Sequence, residues 1–250
     1  MHNYSKIIGA MAAASALVAG SAQAEVTVEY DLHAGYTSEY IFRGVDLGND
    51  LVEAGVDASA QVAGLDLSAG AWYGSFNKNL NDTGDQTEID IYGEVSKDLG
   101  FATASVGYIW YINDDNTDVK LDDAQEAYAS ISRDFGFAEL ALTYYWDVET
   151  DNDGYSAFDA SKSFELNQCL TLNVGGTLGY LEEEGHLSHL TAKVSLDYAF
   201  AEHAKFSPFI AHSWDLSGGH VDDNGSLINT SAAPGTDNEL FGGAVISASF

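Results

Sequence analysis

The chain has 250 residues, with 39 Asp and Glu against 9 Lys and Arg, a formal net charge of −30 at pH 7. That balance excludes a nucleic-acid backbone as partner, because phosphate is met with Lys and Arg. It suits a surface in contact with water and divalent cations. Cys169 is the only cysteine, which excludes an internal disulfide and a Cys-based metal site, and two prolines are few for a disordered exported chain.

The first element is a leader. Met1-His2-Asn3-Tyr4-Ser5-Lys6 precedes an apolar run from Ile7 to Gly20, closed by the small residues Ser21-Ala22-Gln23-Ala24. This pattern predicts a secretory signal peptide over residues 1–24, cut before Glu25, with a single domain over 25–250. The run is short of the roughly 20 apolar residues that span a bilayer. No later stretch is long and apolar enough for a spanning helix, so insertion into a membrane would use strands. The leader holds one Lys and no acid, which puts the mature chain near −31.

From residue 26 onward, segments of alternating apolar and polar residues follow one another. The predicted strands are 26–43, 51–62, 65–76, 87–97, 101–112, 124–134, 137–147, 155–166, 169–181, 189–200, 205–215 and 239–250. In the second, Val52, Ala54, Val56, Ala58, Ala60 and Val62 alternate with Glu53, Gly55, Asp57, Ser59 and Gln61. In the last, Leu240, Gly242, Ala244, Ile246, Ala248 and Phe250 share one face, and Phe241, Gly243, Val245, Ser247 and Ser249 the other. Strand side chains alternate with period two. One apolar face and one small or polar face is what the wall of a membrane barrel requires.

The connections support this reading. Ala63-Gly64, Leu99-Gly100, Phe135-Gly136, Asn167-Gln168 and Ala201-Glu202-His203-Ala204 are short. Those from Asn77 to Gln86, Asn113 to Asp123, Glu149 to Gly154, Glu182 to Ser188 and Leu216 to Asn238 are long and polar. An even strand number with turns at one end and loops at the other is the outer-membrane pattern. Aromatic residues close the apolar faces. Tyr36, Tyr40, Tyr73, Tyr108, Trp110, Tyr144, Trp146, Tyr180 and Trp214 are expected in an outer interfacial girdle, and Tyr198, Phe200, Phe206 and Phe250 in an inner one. The predicted fold is therefore an all-β, antiparallel transmembrane β-barrel of about 12 strands, with short periplasmic turns and longer acidic extracellular loops. A secreted β-sandwich also alternates with period two. Its water-facing side, however, is usually rich in long Lys, Thr and Glu side chains, whereas the polar face here is rich in Gly and Ser and nearly free of Lys.

The first strand ends in Thr37-Ser38-Glu39-Tyr40-Ile41-Phe42-Arg43-Gly44. This stretch, with Tyr40, Phe42, Arg43 and Gly44 at its core, resembles the signature of the TorF-type porin family of exported Gram-negative outer-membrane proteins. The resemblance extends over the mature chain from Glu25 to Phe250. It implies a leader, repeated amphipathic strands, an aromatic carboxyl end, and diffusion or uptake across the outer membrane. It supplies no catalytic residue and no established solute.

Arg43 falls in phase with the inward set Glu29, Asp31, Glu39 and Ile41. Two roles are open to it. It can act as a clamp held by carboxylates in bidentate bonds, or as a constriction residue that meets solute. Gly44 gives the exit its backbone freedom.

The expected lumen lining comprises Glu29, Asp31, Glu39, Arg43, Glu53, Asp57, Glu88, Asp90, Glu94, Glu126 and Asp197, joined by Asp66, Glu139, Asp159 and Glu165. Lys193 is the other inward cation, and Tyr92 and Tyr128 are candidate hydroxyl partners. So many carboxylates in a dry interior are costly, and water with mobile cations is the cheaper arrangement. Rings of acidic side chains select cations. A porin with passive, cation-preferring diffusion of small solutes is the leading expectation. A closed structural or adhesive barrel and a secreted β-sandwich binding protein are the alternatives, since 12 strands fall between side-chain-filled and open barrels.

The loop clusters Asn113-Asp114-Asp115-Asn116, Asp151-Asn152-Asp153-Gly154 and Asp222-Asp223-Asn224-Gly225 are rich in oxygen donors. None follows the calcium-loop pattern, because Ala160 stands where the bidentate Glu belongs and the last cluster would begin at His220. No cofactor or metal site is expected. An enzyme is not expected either. His212 beside Ser213, and His186 and His189 beside Ser188, are strand neighbours that should point opposite ways, and no nucleophile elbow or H-E-x-x-H is present. The expected partners are outer-membrane lipid and lipopolysaccharide, the barrel-insertion machinery acting on the C-terminal strand that ends at Phe250, and small solutes or cations.

Overall fold

A computed structural model of the chain describes residues 26–77, 85–115, 123–149, 154–217 and 238–250. The predicted leader with its cut before Glu25, Asn116, Asp151-Asn152-Asp153 and Asp222-Asp223-Asn224-Gly225 lie outside the described residues.

Twelve strands follow one another: β1 (Val28–Phe42), β2 (Val45–Val62), β3 (Leu65–Asn77), β4 (Asp85–Asp98), β5 (Thr103–Asp115) and β6 (Ala124–Asp134), then β7 (Glu139–Asp147), β8 (Tyr155–Asn167), β9 (Leu170–Leu181), β10 (His186–Ala201), β11 (Ala204–Asp215) and β12 (Glu239–Ser249). Each pairs antiparallel with the next, and β1 closes on β12. The sheet is thus a closed barrel, not a sandwich. Closure runs from Asp31 opposite Ser249 to Thr37 opposite Gly243. Tyr30 and Phe250 add two backbone hydrogen bonds, of 3.1 and 2.9 Å. With no free edge, every strand finds its ladder partners inside the wall.

The predicted faces hold in the structure. Leu240, 62% exposed, and Ile210, 55% exposed, lie on the outer surface with Leu32, Val52, Leu142 and Phe158. Tyr36, Tyr73, Tyr108, Tyr144, Trp146 and Trp214 are exposed toward the loop end, and Tyr198, Phe200, Phe206 and Phe250 toward the turn end. Inward positions hold the buried polar residues Glu88, Glu126, Thr143 and His189.

At the turn end, side chains cap the backbone. Asp98 accepts a hydrogen bond from the Gly100 N–H at 2.6 Å, Asp134 from Gly136 at 2.6 Å, and Asn167 from Cys169 at 2.9 Å. These are Asx turns, in which a short side chain replaces the missing ladder partner. Ala63 and Gly64 both have positive φ, 53° and 79°, the geometry of a two-residue hairpin turn whose twist matches its strands.

One connection departs from the prediction. The second strand begins at Val45, not at residue 51, so residues 45–50 are strand where a loop exit was expected. Arg43 and Gly44, with φ of 52° and 83°, form a second two-residue turn, this one at the loop end. Here β1 pairs with β12 only as far as Thr37. Likewise β2 pairs with β3 only as far as Asn49. Residues beyond those points pair only with each other, through a register shift between Tyr40 and Ile41. Asp50, at φ 55°, marks the bend on the β2 side. The hairpin tip therefore leaves the wall.

Candidate functional site

The tip folds into the barrel. In strand order β1 lies between β12 and β2, so β6 to β8 stand on the far side of the lumen. Arg43 reaches that side. Its Nη1 donates to Glu126 Oε1 at 2.7 Å and its Nη2 to Glu126 Oε2 at 2.6 Å, a bidentate pair with β6. The Tyr111 hydroxyl of β5 donates to Glu126 Oε2 at 3.0 Å. The guanidinium also lies over the rings of Tyr145 of β7, at 4.6 Å, and Tyr155 of β8, at 4.5 Å, with Phe42 at 4.8 Å. Arginine suits this position because its planar fork can be hydrogen-bonded at the edge and stacked on its faces at once.

Gly44 fits for two reasons. Its φ is in the left-handed region, and a Cβ there would lie 2.4 Å from His189 Cβ of β10. No side chain can occupy that gap while the tip is docked. His189 in turn stacks on Tyr155 with ring planes 5° apart.

The base of the tip packs on the near wall. Tyr40 lies 5.8 Å from the Trp72 ring and 4.9 Å from the Phe76 ring, both on the inward face of β3. The expectation that Tyr40 joins the outer girdle is therefore wrong. Alternation places its side chain on the outer face of β1, but the strand has already turned inward, so that face meets the inside of β3. Gly48 makes the same contact, since a Cβ there would lie 2.3 Å from the Asn77 carbonyl oxygen.

The expected lining residues divide by position. Glu126 belongs to the Arg43 pair, Glu39 to the hairpin, and Glu88 and Asp90 to the part of β4 nearest the tip. Glu53 faces the lumen just below the base of the hairpin, and Glu29, Asp31, Asp57, Glu94 and Asp197 face it nearer the turn end. Most of these carboxylates accept a hydrogen bond from the wall. Trp72 Nε1 donates to Glu53 at 2.8 Å, Tyr92 to Asp57 at 2.6 Å, Tyr128 to Glu94 at 3.0 Å and Ser249 to Asp31 at 2.7 Å. Lys205 stands 3.6 Å from Asp197. Lys193 lies over the Phe209 ring at 4.1 Å. Two of the cavities among the described residues bear on these groups. One of about 450 Å³ adjoins the tip and is bordered by Arg43, Asp90, Tyr111, Tyr155, Asp159 and His189. The other, of about 530 Å³, opens at the turn end beside Glu29, Ser59, Gln61, Asp66 and Ser96.

Tyr111, Tyr145, Tyr155 and His189 were not singled out as site residues from the sequence. Each is in phase with the inward face of its own strand, and that was the available signal. What sequence could not give is that one hairpin gathers them. One further expectation fails: Ser188 and His189 do not point apart. Ser188 Oγ lies 2.9 Å from His189 Nδ1. A register shift between Leu187 and Leu190 breaks the alternation there.

The sequence matches, over residues 19–237, the family described as a bacterial protein of unknown function (Gcw_chp). No curated protein matches it. Among solved structures the barrel is similar to a KdgM porin, at 10% identity and a TM-score of 0.50, covering 89% of this chain and 99% of that one. It is similar also to an outer membrane channel from Pseudomonas putida F1, at 9% identity and a TM-score of 0.51, covering 92% and 97%. Outer membrane phospholipase A from Escherichia coli overlaps less well, at 13% identity and a TM-score of 0.48, covering 88% and 92%. At these identities the likeness is one of fold.

Proposed function

The chain belongs to the Gcw_chp family of bacterial proteins, and on that premise we propose that it is an outer-membrane channel giving small solutes passive, cation-preferring diffusion through an acidic lumen. The observation that carries this reading is the lumen itself: carboxylates from β1, β2, β4 and β10 face a barrel interior that retains cavities at the tip and at the turn end. The porin-like fold, the stretch through Tyr40, Phe42, Arg43 and Gly44 that resembles the TorF-type signature, and the leader expected over residues 1–24 support it. The leader would direct export. The apolar outer face would meet lipid, with lipopolysaccharide around the loop end. The barrel-insertion machinery would act on the strand that ends at Phe250.

In this reading the docked hairpin is the constriction. Arg43 is both clamp and constriction residue, because the bonds that hold it also place it across the passage. A closed structural barrel is the second reading, favoured by the same docked tip. Planar-bilayer conductance of the refolded mature protein separates the two, with the reversal potential in a salt gradient reporting the preferred ion. A cation-preferring conductance supports the channel. Inserted protein that never conducts supports the closed barrel.

Orientation can be tested with a native residue. Cys169 is exposed at the turn end. A membrane-impermeant maleimide is expected to leave it unlabelled on intact cells and to label it once the outer membrane is disrupted. A Glu183→Cys variant, carrying Cys169→Ser and altered in the exposed β9–β10 turn, is expected to label on intact cells. The reverse pattern would invert the topology.

A further inference from the structure

We propose that Asp31, His33 and Asp57 form a binding site for a divalent transition-metal ion on the lumen wall. The three side chains come from the facing strands β1 and β2, where Asp31 is directly opposite Asp57 and His33 opposite Gly55. One donor atom from each lies within 4.8 Å of the others. His33 Nδ1 is 3.8 Å from Asp57 Oδ2. Donors bound to one tetrahedral ion at about 2.1 Å each stand about 3.4 Å apart. The His33–Asp57 pair lies a few tenths of an ångström outside that spacing, and the trio closes on an ion by side-chain shifts on the order of an ångström.

The surroundings orient the trio. Tyr92 of β4 donates to Asp57 Oδ1 at 2.6 Å, which leaves Asp57 Oδ2 for the site. Ser249 of β12 donates to Asp31 Oδ2 at 2.7 Å. Both hydroxyls come from strands outside the trio. They hold one oxygen of each carboxylate, as outer partners do around bound metals. The histidine has a prepared seat as well. A Cβ at position 55 would lie 2.3 Å from His33 Cε1 and 2.5 Å from its Nε2, so the ring fills the space that Gly55 leaves.

The donor set selects the ion. Imidazole favours zinc, nickel, copper or cobalt over calcium and magnesium, which take oxygen ligands. Three protein donors leave the other positions to water, so a bound ion can exchange. Its place in transport, though not its binding, rests on the channel reading above: an exchangeable site in the lumen would be a stopping point for divalent ions in transit.

Titration calorimetry of the refolded full barrel in detergent tests the binding without requiring an open pore. With zinc as the probe, one ion per barrel is expected at micromolar affinity, and calcium is expected to bind far more weakly. His33→Ala and the bulkier His33→Gln should each abolish micromolar binding, with folding checked by heat-modifiable mobility. Tyr92→Phe should weaken it by about tenfold or more, the usual effect of losing an outer partner. Glu183→Gln, far from the site, should leave it unchanged. Binding that survives both His33 variants would overturn the proposal, as would binding lost instead on His186→Ala, where His186 and Glu184 lie 2.9 Å apart. Affinity no tighter than millimolar would do the same. If zinc binds as expected and the barrel never conducts, the site stands and the channel reading falls.

Discussion

Arg43→Glu is expected to open the channel, and the paired exchange Arg43→Glu with Glu126→Arg is expected to close it again. In the native protein the guanidinium and carboxylate form a two-bond pair at 2.6 and 2.7 Å, largely shielded from water. Removing one member of such a buried pair costs about 3–5 kcal/mol, because the other charge is left unpartnered. A loss of that size shifts the ratio of docked to undocked hairpin by a factor on the order of a hundred or more. Placing Glu opposite Glu126 adds repulsion and removes the stacking on Tyr145 and Tyr155. The rest of the wall is untouched, since β1 and β2 keep their ladders with β12 and β3 below Thr37 and Asn49. Single-channel recording should therefore show a severalfold larger conductance in the single variant and a near-native one in the exchange. Unchanged conductance in a folded Arg43→Glu barrel would mean that the tip is not the narrowest point.

The second large effect concerns ion preference. Neutralising Glu53 and Glu94 together, as Gln, is expected to move the reversal potential of the native protein well toward zero. Both face the lumen between the tip and the turn end. Each receives a neutral donor, Trp72 Nε1 for Glu53 and the Tyr128 hydroxyl for Glu94, which holds the side chain in place. The preference should also fade with salt, as the screening length falls from about 10 Å at 0.1 M to about 3 Å at 1 M. Glu183→Gln, at the exposed loop end, should change it little. Anion preference in the unmodified protein would defeat the reading of an acidic filter.

The wall was legible in the sequence because period two is a local property. Leu240 through Phe250 declares its two faces without help from any other segment. The same is true of β2 from Val52 to Val62. The hairpin tip was not legible, although its parts were. Arg43 was expected to meet carboxylates, and it meets one, Glu126. The continuing alternation Val45-Asp46-Leu47 after a Phe-Arg-Gly turn was a signal for a longer second strand. Two things hid the rest. The bend near Asp50 and the register shift after Tyr40 turn the outer face of β1 toward β3, which no alternation rule anticipates. And the tip's partners on β5 to β8 and β10 are joined to it only by the closure of the barrel. The hydroxyl partners Tyr92 and Tyr128 were legible from their inward phases, but not that each reaches over a glycine of the intervening strand, Gly70 or Gly107, to a carboxylate two strands away.

The reach of the tip also orders events in time. Arg43 and Glu126 are 83 residues apart in the chain. The seat against His189 is more distant still. Neighbouring strands can zip as they form, whereas the tip has nothing to dock against until the far wall stands. Contacts of long sequence separation form slowly because loop closure comes before any gain. We expect docking to follow closure of the wall, so that substitutions at Arg43 or Glu126 shorten the lifetime of the native state while leaving the rate of assembly nearly unchanged.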